Sequence, residues 1–528
     1  MTTGRDIPFL QALGTLGSID EISSGLRFTA DKAQEQNPDI YLALETAERL
    51  QATAVYFKFY TDSRPAKPLI YIYDKSIVHN NISNADIHHI LWNAGVVPVC
   101  YIFEDAQILV YNCNKHPVLD HSGESFVTSQ TDTIKLLGKI SAKIDQYKFK
   151  HFDSGLFWET NVGKTYKHAD SAYEQLLKQL SNVKSRLIKE AGEEHATLVK
   201  KILMMLILIK YLEERVDDEG NSALNPYEFY KSYCPDSPTL SSVLENAALF
   251  IRMLDDLSSK NHFNGHVFYL SEHEKHTLTN QIDLSLFQYF VEGNVEFTAS
   301  GRDGIGQGTL WRLYQFNYLP IELISHIYED FLVDIRGDKK KGVVYTPPSL
   351  VQLLLDQTMP LSDPKEDFKV LDPACGSGIF LVGAYKRMIQ WWRLQNNWAR
   401  PAKENIEELK GLLKNNIYGC DIEDEAVTLT YFSLSLALLD ALSPKEIWEN
   451  VHFDDLRETN LFSDDFFQTL TDNKLPVDFQ LIIGNPPFKS ELTNIAAEVN
   501  KNEKENYTNR PNLPDNQIAL LFLEQSMK

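Results

Sequence analysis

The sharpest chemical signal is Asn485-Pro486-Pro487-Phe488, reached directly from an apolar run in FQLIIGNPPF (479–488). An amino nitrogen conjugated to a ring or a carbonyl is a poor nucleophile, because its lone pair is delocalised. A general base helps little, since its protons are hardly acidic. Two acceptors that hold both N–H groups help more: they draw the nitrogen toward a tetrahedral shape and stabilise the positive charge that develops on attack. Asn485 offers a side-chain carbonyl and Pro486 a main-chain carbonyl. The two prolines stiffen the turn, so ordering the acceptors costs little entropy. Phe488 can stack on a flat base taken out of its helix, an interaction worth ~1–3 kcal/mol, which offsets much of the few kcal/mol that extrusion costs.

Three other segments bring residues of the same kind to the ends of strands. Asp372-Pro373-Ala374-Cys375-Gly376-Ser377-Gly378 follows a strand-like KVL and precedes a helical run. Its glycines allow a sharp turn and close approach to a ligand, and the helix after it presents free N–H groups. Asp421 ends a second strand in Tyr-Gly-Cys-Asp, where an acid can accept bonds from two ribose hydroxyls. Asp454, in VHFDDL (451–456), is read as the end of a third strand, able to touch a nucleoside base or the target amino group. Tyr345-Thr346-Pro347-Pro348 opens a helix over SLVQLLLD, with proline in its first turn.

These segments need a frame. From about residue 342 strands and helices alternate, which builds a parallel sheet whose ligands bind at the carboxyl ends of the strands. Residues 156–335 read as helical: SAYEQLLKQLSNVKSRLIKE, HATLVKKILMMLILIKYLEERV and PIELISHIYEDFLVDI carry apolar residues at helical spacing. Residues 1–155 read as mixed α/β, with strands in AVYFKFY, PLIYIYDKS, VVPVCYIF and QILVYN, and a helix in HHILWNAG ended by Gly95. Such a sheet is nuclease-like at most. A nuclease needs Glu-x-Lys beside a second acid, whereas the triplet here is Tyr56-Phe57-Lys58 with Asp39 upstream, so no metal site is expected. The glycine-rich GRDGIGQG (301–308) does not join a strand to a helix and is given no phosphate role.

A chain of 528 residues calls for several cores. The run Ile202–Ile209 is too short to span a bilayer and is flanked by lysines, so it reads as a buried helix and no membrane partner is expected. Five cysteines without metal-ligand spacing read as reduced thiols of a cytoplasmic protein. The net charge of −22 argues against a broad nucleic-acid surface, and requires any basic contact to be local or outside this chain.

The order YTPP, DPACGSG, GCDI, DD, NPPF resembles the N6-adenine DNA methyltransferases of restriction–modification and phage-defence systems. IELISHIYEDFL followed by KGVVYTPPSLVQLLLD is similar to the large subset with a helical region before the catalytic domain. The resemblance is specific over residues 320–528 and contributes little before 155. It implies a Rossmann-like α/β methyltransferase sheet over 336–528, preceded by a helical domain (156–335) and an N-terminal mixed α/β domain (1–155). S-adenosylmethionine is the implied cofactor, faced by Tyr345, Thr346, Pro347, Asp372, Pro373, Ala374, Gly376, Gly378, Asp421, Ile422 and Asp454. Asn485, Pro486, Pro487 and Phe488 would face an adenine flipped from double-stranded DNA. The family's sheet has seven strands followed by a target-recognition domain. The helix of DNQIALLFLEQSMK resembles the one just after NPPF. The expectation is therefore a sheet incomplete at its C-terminal end, completed by further chain or by a specificity or complementary subunit. Other amino acceptors, namely cytosine N4, an RNA base or protein glutamine, remain open, as does a non-catalytic scaffold.

Overall fold

The structure is a computed structural model. It describes residues 7–62, 64–76, 82–104, 106–120, 125–136, 142–217, 220–259, 266–293, 310–319, 327, 346–457, 459–488, 490–507 and 509–528. The chain forms two compact units, Met1–Gln179 with Gly293–Pro320, and Leu180–Glu292 with Ile321–Lys528. The mainly helical stretch is thus divided between them. Among the described residues no helix is long and apolar enough to cross a membrane. GRDGIGQG, and PIELISHIYEDFLVDI apart from Ile327, lie outside the described residues.

The first unit is built on six strands: β1 (Leu26–Phe28), β2 (Ala54–Lys58), β3 (Lys67–Asp74), β4 (Val99–Glu104), β5 (Gln107–Asn112) and β8 (Asp132–Lys135), in the order β1-β2-β3-β4-β5-β8. A separate two-stranded ribbon pairs β6 (Val118–Leu119) with β7 (Phe126–Val127). Within the large sheet only β3 and β4 run parallel, and the Asn84–Ala94 helix lies between them in the chain. That helix starts on a Ser83–Asp86 capping box and stops at Gly95, whose φ of 61° suits glycine. Both faces of the sheet are covered. Ile70, Ile72, Val99 and Tyr101 point into one core, Tyr71, Tyr73, Cys100 and Ile102 into the other. This explains strands that read as nearly unbroken apolar runs. At Tyr56, where a nuclease-like reading looks for an acid, a buried ring stacks on Phe149 at 4.1 Å and its hydroxyl donates to Asp153. Among the described residues no group of three or more His, Cys, Asp or Glu is placed to hold a metal.

The second unit carries four parallel strands: β9 (Val370–Asp372), β10 (Ile417–Asp421), β11 (Leu461–Ser463) and β12 (Leu481–Ile482), in the order β11-β10-β9-β12. The chain runs outward from β9 through β10 to β11, then returns to the opposite flank of β9. The reversal puts a switch point at the carboxyl end of β9, the place where open α/β sheets bind ligands. Leu371, Cys420 and Phe462 meet Phe466, Phe467, Leu521 and Phe522 on one face. On the other, the space above Gly419 is filled by Leu381 of the Ile379–Gln395 helix. The third strand is not VHFDDL, as the sequence reading has it, but Leu461–Ser463. Backbone bonds from the N–H groups of Asn460 and Leu461 to Leu456 O fold the chain into a turn. The Asn460 side chain then fills the place of a ladder by donating to Lys414 O and Ile417 O, at 2.7 and 2.9 Å.

Two arginines tie helices to this sheet's helical layer. Arg215, just past the Ala196–Glu214 helix, donates to the Asp440 carboxylate and carbonyl at 2.9 and 2.7 Å. Arg387, 4% exposed, donates to Asp356 at 2.7 Å and to Met359 O, pinning the Pro348–Thr358 helix to the Ile379–Gln395 helix. Replacing one member of a buried pair strands the other charge. Arg387→Met is therefore expected to destabilise this unit by about 3 kcal/mol, read as a lower urea midpoint at unchanged slope.

Candidate active site

β9 ends at Asp372 and the chain turns at once through Pro373 to Gly378. Gly376 and Gly378 take φ of +54° and +79°, which side chains other than glycine's rarely adopt. A Cβ on Gly378 would also sit 2.8 Å from Thr430 Cγ2. Hydrogen bonds fix this loop to the neighbouring strand and helix. The Cys375 N–H donates to Cys420 O at 2.9 Å. The Gly376 N–H donates to Asp421 Oδ2 at 3.0 Å. Thr430, on the inner face of the Asp424–Ala441 helix, donates its hydroxyl to Gly376 O at 2.9 Å. Asp421 Oδ1 also accepts the Glu423 N–H at 3.0 Å, which shapes the turn into that helix. The next residue after Asp421, Ile422, is 63% exposed.

Asp372 itself is 1% exposed. Its Oδ1 accepts the Ala374 N–H at 3.1 Å, while Oδ2 is buried with no hydrogen-bond partner among the described residues. Burial, opposed by the Ala374 bond and reinforced by the Asp421 charge, pushes the carboxyl up to about 8. Gly484 lies against it, since a Cβ there would overlap Asp372 Oδ1. The next residue is Asn485. β12 thus delivers the Asn-Pro-Pro-Phe turn beside the Asp372 loop, and the Ile483 N–H still bonds to Leu371 O at 2.9 Å. Thr346 reaches the same place: Asn485 Nδ2 donates to Thr346 Oγ1 at 3.3 Å, and Thr346 is 8% exposed. Pro486 and Pro487 are half-buried, and Phe488 is 68% exposed.

The structure therefore gathers Thr346, Asp372, Pro373, Ala374, Gly376, Gly378, Asp421 and Asn485 around the carboxyl ends of β9, β10 and β12. Pro347 adjoins Thr346 as the N-cap of the Pro348–Thr358 helix. Tyr345 lies outside the described residues. Asp454 is engaged elsewhere: it pairs with Lys410 at 3.2 Å and Lys414 at 3.8 Å on the Ile406–Asn416 helix, and Asp455 pairs with Arg457. Sequence reasoning passed over Thr430 and Gly484. Thr430 had one available signal, a polar residue between Val427 and Leu434 on an otherwise apolar helix face. A cavity of about 220 Å³ lies along another face of the same helix, lined by Met204, Met205, Thr428, Leu429 and Phe432 among others. None of the residues expected at the site lines it.

The raised Asp372 carboxyl has a pH consequence. The folded form holds a proton at values where the unfolded chain, with an ordinary carboxyl near 3.8, has lost it. Its contribution to stability is present below about 3.8 and is lost as pH rises toward about 8, at no more than about 1.4 kcal/mol per pH unit. Asp372→Asn is expected to flatten this dependence and to melt higher than the wild type at pH 8, as thermal melts between pH 5 and 8 will show. Gly378→Ala is expected to lower the melting temperature at every pH, because it meets both the strained φ and Thr430.

Residues 320–527 match the family model described as N-6 DNA Methylase. The type II methyltransferase M.BstVI of Geobacillus stearothermophilus is 33% identical over 201 residues, which cover 37% of this chain and 33% of that protein. The adenine-specific methyltransferase BrxX of Escherichia coli O9:H4 is 39% identical over 84 residues, 16% of this chain and 6% of BrxX. The type IIG restriction endonuclease BpuSI is 16% identical at a TM-score of 0.34, covering 90% of this chain and 45% of that one; nothing further rests on that likeness. The chain thus spans a third or less of the length of these curated relatives. The strand order, the glycine loop and the Asn-Pro-Pro-Phe turn all fall within the residues 320–527 that match the N-6 DNA methylase family.

Proposed function

We propose that this chain carries the cofactor site and the target-base site of a methyltransferase acting on the N6 amino group of adenine in double-stranded DNA, as part of restriction–modification or phage defence. The observation that carries the reading is the junction of Asn485 with Thr346 and with the Asp372–Gly378 loop at one switch point. The donor and acceptor sides of a transfer have to meet there.

The residues fit S-adenosylmethionine. The open-sided Gly376 turn admits close backbone approach. Asp421 places a carboxylate at the end of β10 beside the Gly376 N–H, where an acid can accept bonds from ribose hydroxyls. Ile422 offers an exposed apolar cover for an adenine ring. When bound, S-adenosylmethionine supplies a methyl group on a sulfonium. Asn485 Oδ1 and the Pro486 carbonyl accept the two N–H groups of the target, and the Phe488 ring stacks on its face. Fixing these groups turns a bimolecular encounter into a positioned one, which supplies much of the rate enhancement. Adenine rather than cytosine rests on the relatives, which include proteins named as adenine-specific methyltransferases.

The test is transfer of labelled methyl from S-adenosylmethionine to duplex DNA, with mass analysis of the digested nucleosides. N6-methyladenine is expected, reduced at least ~100-fold by Asn485→Ala while the melting curve is kept. Label in cytosine, RNA or protein would replace the adenine assignment, and an undiminished rate for Asn485→Ala would sink the site. Calorimetric titration with S-adenosylmethionine tests the cofactor half separately: Asp421→Ala should weaken binding by at least ~10-fold, about the worth of one charged hydrogen bond.

A further inference from the structure

A hydroxyl in the middle of a buried helix has a local use, which is to donate back to the carbonyl one turn earlier. Ser435 does this on the Asp424–Ala441 helix, donating to Tyr431 O at 2.9 Å. Thr430, fully buried on the same helix, sends its hydroxyl outward instead: it donates to Gly376 O at 2.9 Å, across 54 residues of sequence. A carbonyl has no proton to give, so the direction of this bond is fixed. The Cys375 sulfur, 3.6 Å from the same hydroxyl, is the weaker acceptor, and burial pushes its thiol up so that it keeps its own proton.

The same side chain meets both glycines of the loop that take positive φ. A Cβ on Gly378 would lie 2.8 Å from Thr430 Cγ2 and 3.1 Å from its Cα, so the Gly378 backbone lies flush on this residue. At Gly376 the contact is the hydroxyl. Gly376 is thereby held at both polar ends, its N–H on Asp421 Oδ2 at the end of β10 and its C=O on Thr430 from the helix. A peptide unit is planar, so fixing that carbonyl fixes the whole Gly376–Ser377 plane. What remains is the Cα, and nothing lies within 4 Å of a Cβ built on it. The two bonds thus keep the bare side of a left-handed glycine open, where a ligand can come up to backbone.

We propose that Thr430 is a positioning residue for S-adenosylmethionine: from behind the loop, it holds Gly376 in the conformation against which the cofactor packs. This rests on the cofactor reading above and adds to it a residue that lies on neither a strand end nor the glycine turn. Without the hydroxyl, Gly376 O faces a buried apolar surface, and the turn relaxes away from its left-handed form to bring that carbonyl to water. Affinity for the cofactor then falls. The transfer step, served by Asn485 and the Pro486 carbonyl, keeps its rate once the cofactor is bound.

The test separates the hydroxyl from the methyl. Thr430→Val keeps the methyl against Gly378 and loses the hydroxyl, Thr430→Ser does the reverse, and Thr430→Ala loses both. In calorimetric titration with S-adenosylmethionine, Thr430→Val is expected to raise the dissociation constant at least ~10-fold, one hydrogen bond lost with its acceptor left unpaired, and Thr430→Ser less than ~3-fold. Thr430→Ala, which leaves the loop room to settle should the valine variant not melt cooperatively, is expected to match valine. Single-turnover transfer to duplex DNA at saturating cofactor should stay within ~3-fold of the wild type in all three. A threonine that served only stability would give another pattern, a lower melting temperature with unchanged affinity. Unchanged affinity in the valine and alanine variants, a serine loss equal to theirs, or a slower step at saturation would each overturn the proposal. Failure of the wild type to bind S-adenosylmethionine is a different outcome, since it removes the cofactor reading itself.

Discussion

Everything chemical in the second unit depends on how β9 is held. The strand is only three residues long, yet it is paired on both sides: Val370, Leu371 and Asp372 against Ile417, Tyr418 and Gly419, and Val370 and Leu371 against Leu481 and Ile482. Parallel pairing sets both neighbours in register with it, so the carboxyl ends of three strands face the same edge of the sheet. A slip of one residue would turn Asp372 to the opposite face of the sheet. The glycine loop, Asp421 and Asn485 are then close because they leave neighbouring strands on the same edge of the sheet, not because any one contact draws them in. The loop's bonds to Cys420 O and Asp421 lock an arrangement that the ladder has already made.

That ladder was legible in the sequence where β9, β10 and β12 read as apolar runs leading into Asp372, Asp421 and Asn485. The alternation of strand and helix after residue 342, and the placing of Asn485 and Asp421 at strand ends, came from this pattern alone. Where the pattern misled, a side chain had taken over a backbone's work. VHFDDL reads like a strand, with acids where the others have them. The ladder forms later, where the Asn460 carbonyl accepts the Gly419 N–H and its side chain bonds Lys414 O and Ile417 O. Asp454 then falls within reach of two lysines one helix away. Their approach depends on packing that no local spacing records. The same holds for Gly484, whose meaning lies in what a side chain there would strike.

Asp372 shows how the site and the fold pull in different directions. A carboxyl that is 1% exposed, with one oxygen bonded and the other without a partner among the described residues, costs stability that an asparagine or an apolar residue would not. Buried polar atoms left unsatisfied are uncommon in folded chains, and those that persist gather at functional sites. The apolar packing beneath the sheet, from Phe466, Phe467 and Phe522, sits directly under Leu371 and supplies the rigidity against which such a group can be kept. The price is met one layer away from where it is incurred.

Ile422 and Phe488 close the picture from the solvent side. Both are large apolar side chains in the loops that follow β10 and β12, and both are mostly exposed, at 63% and 68%. Water around them is released when a flat ring covers either one. The heat of ligand association at this end of the sheet must therefore change with temperature, with a negative heat-capacity change that grows with the apolar area covered. A ligand covering Ile422 alone and one covering Phe488 alone would each show part of it. Calorimetry at several temperatures would thus report which ring lies on which residue without a structure of either complex.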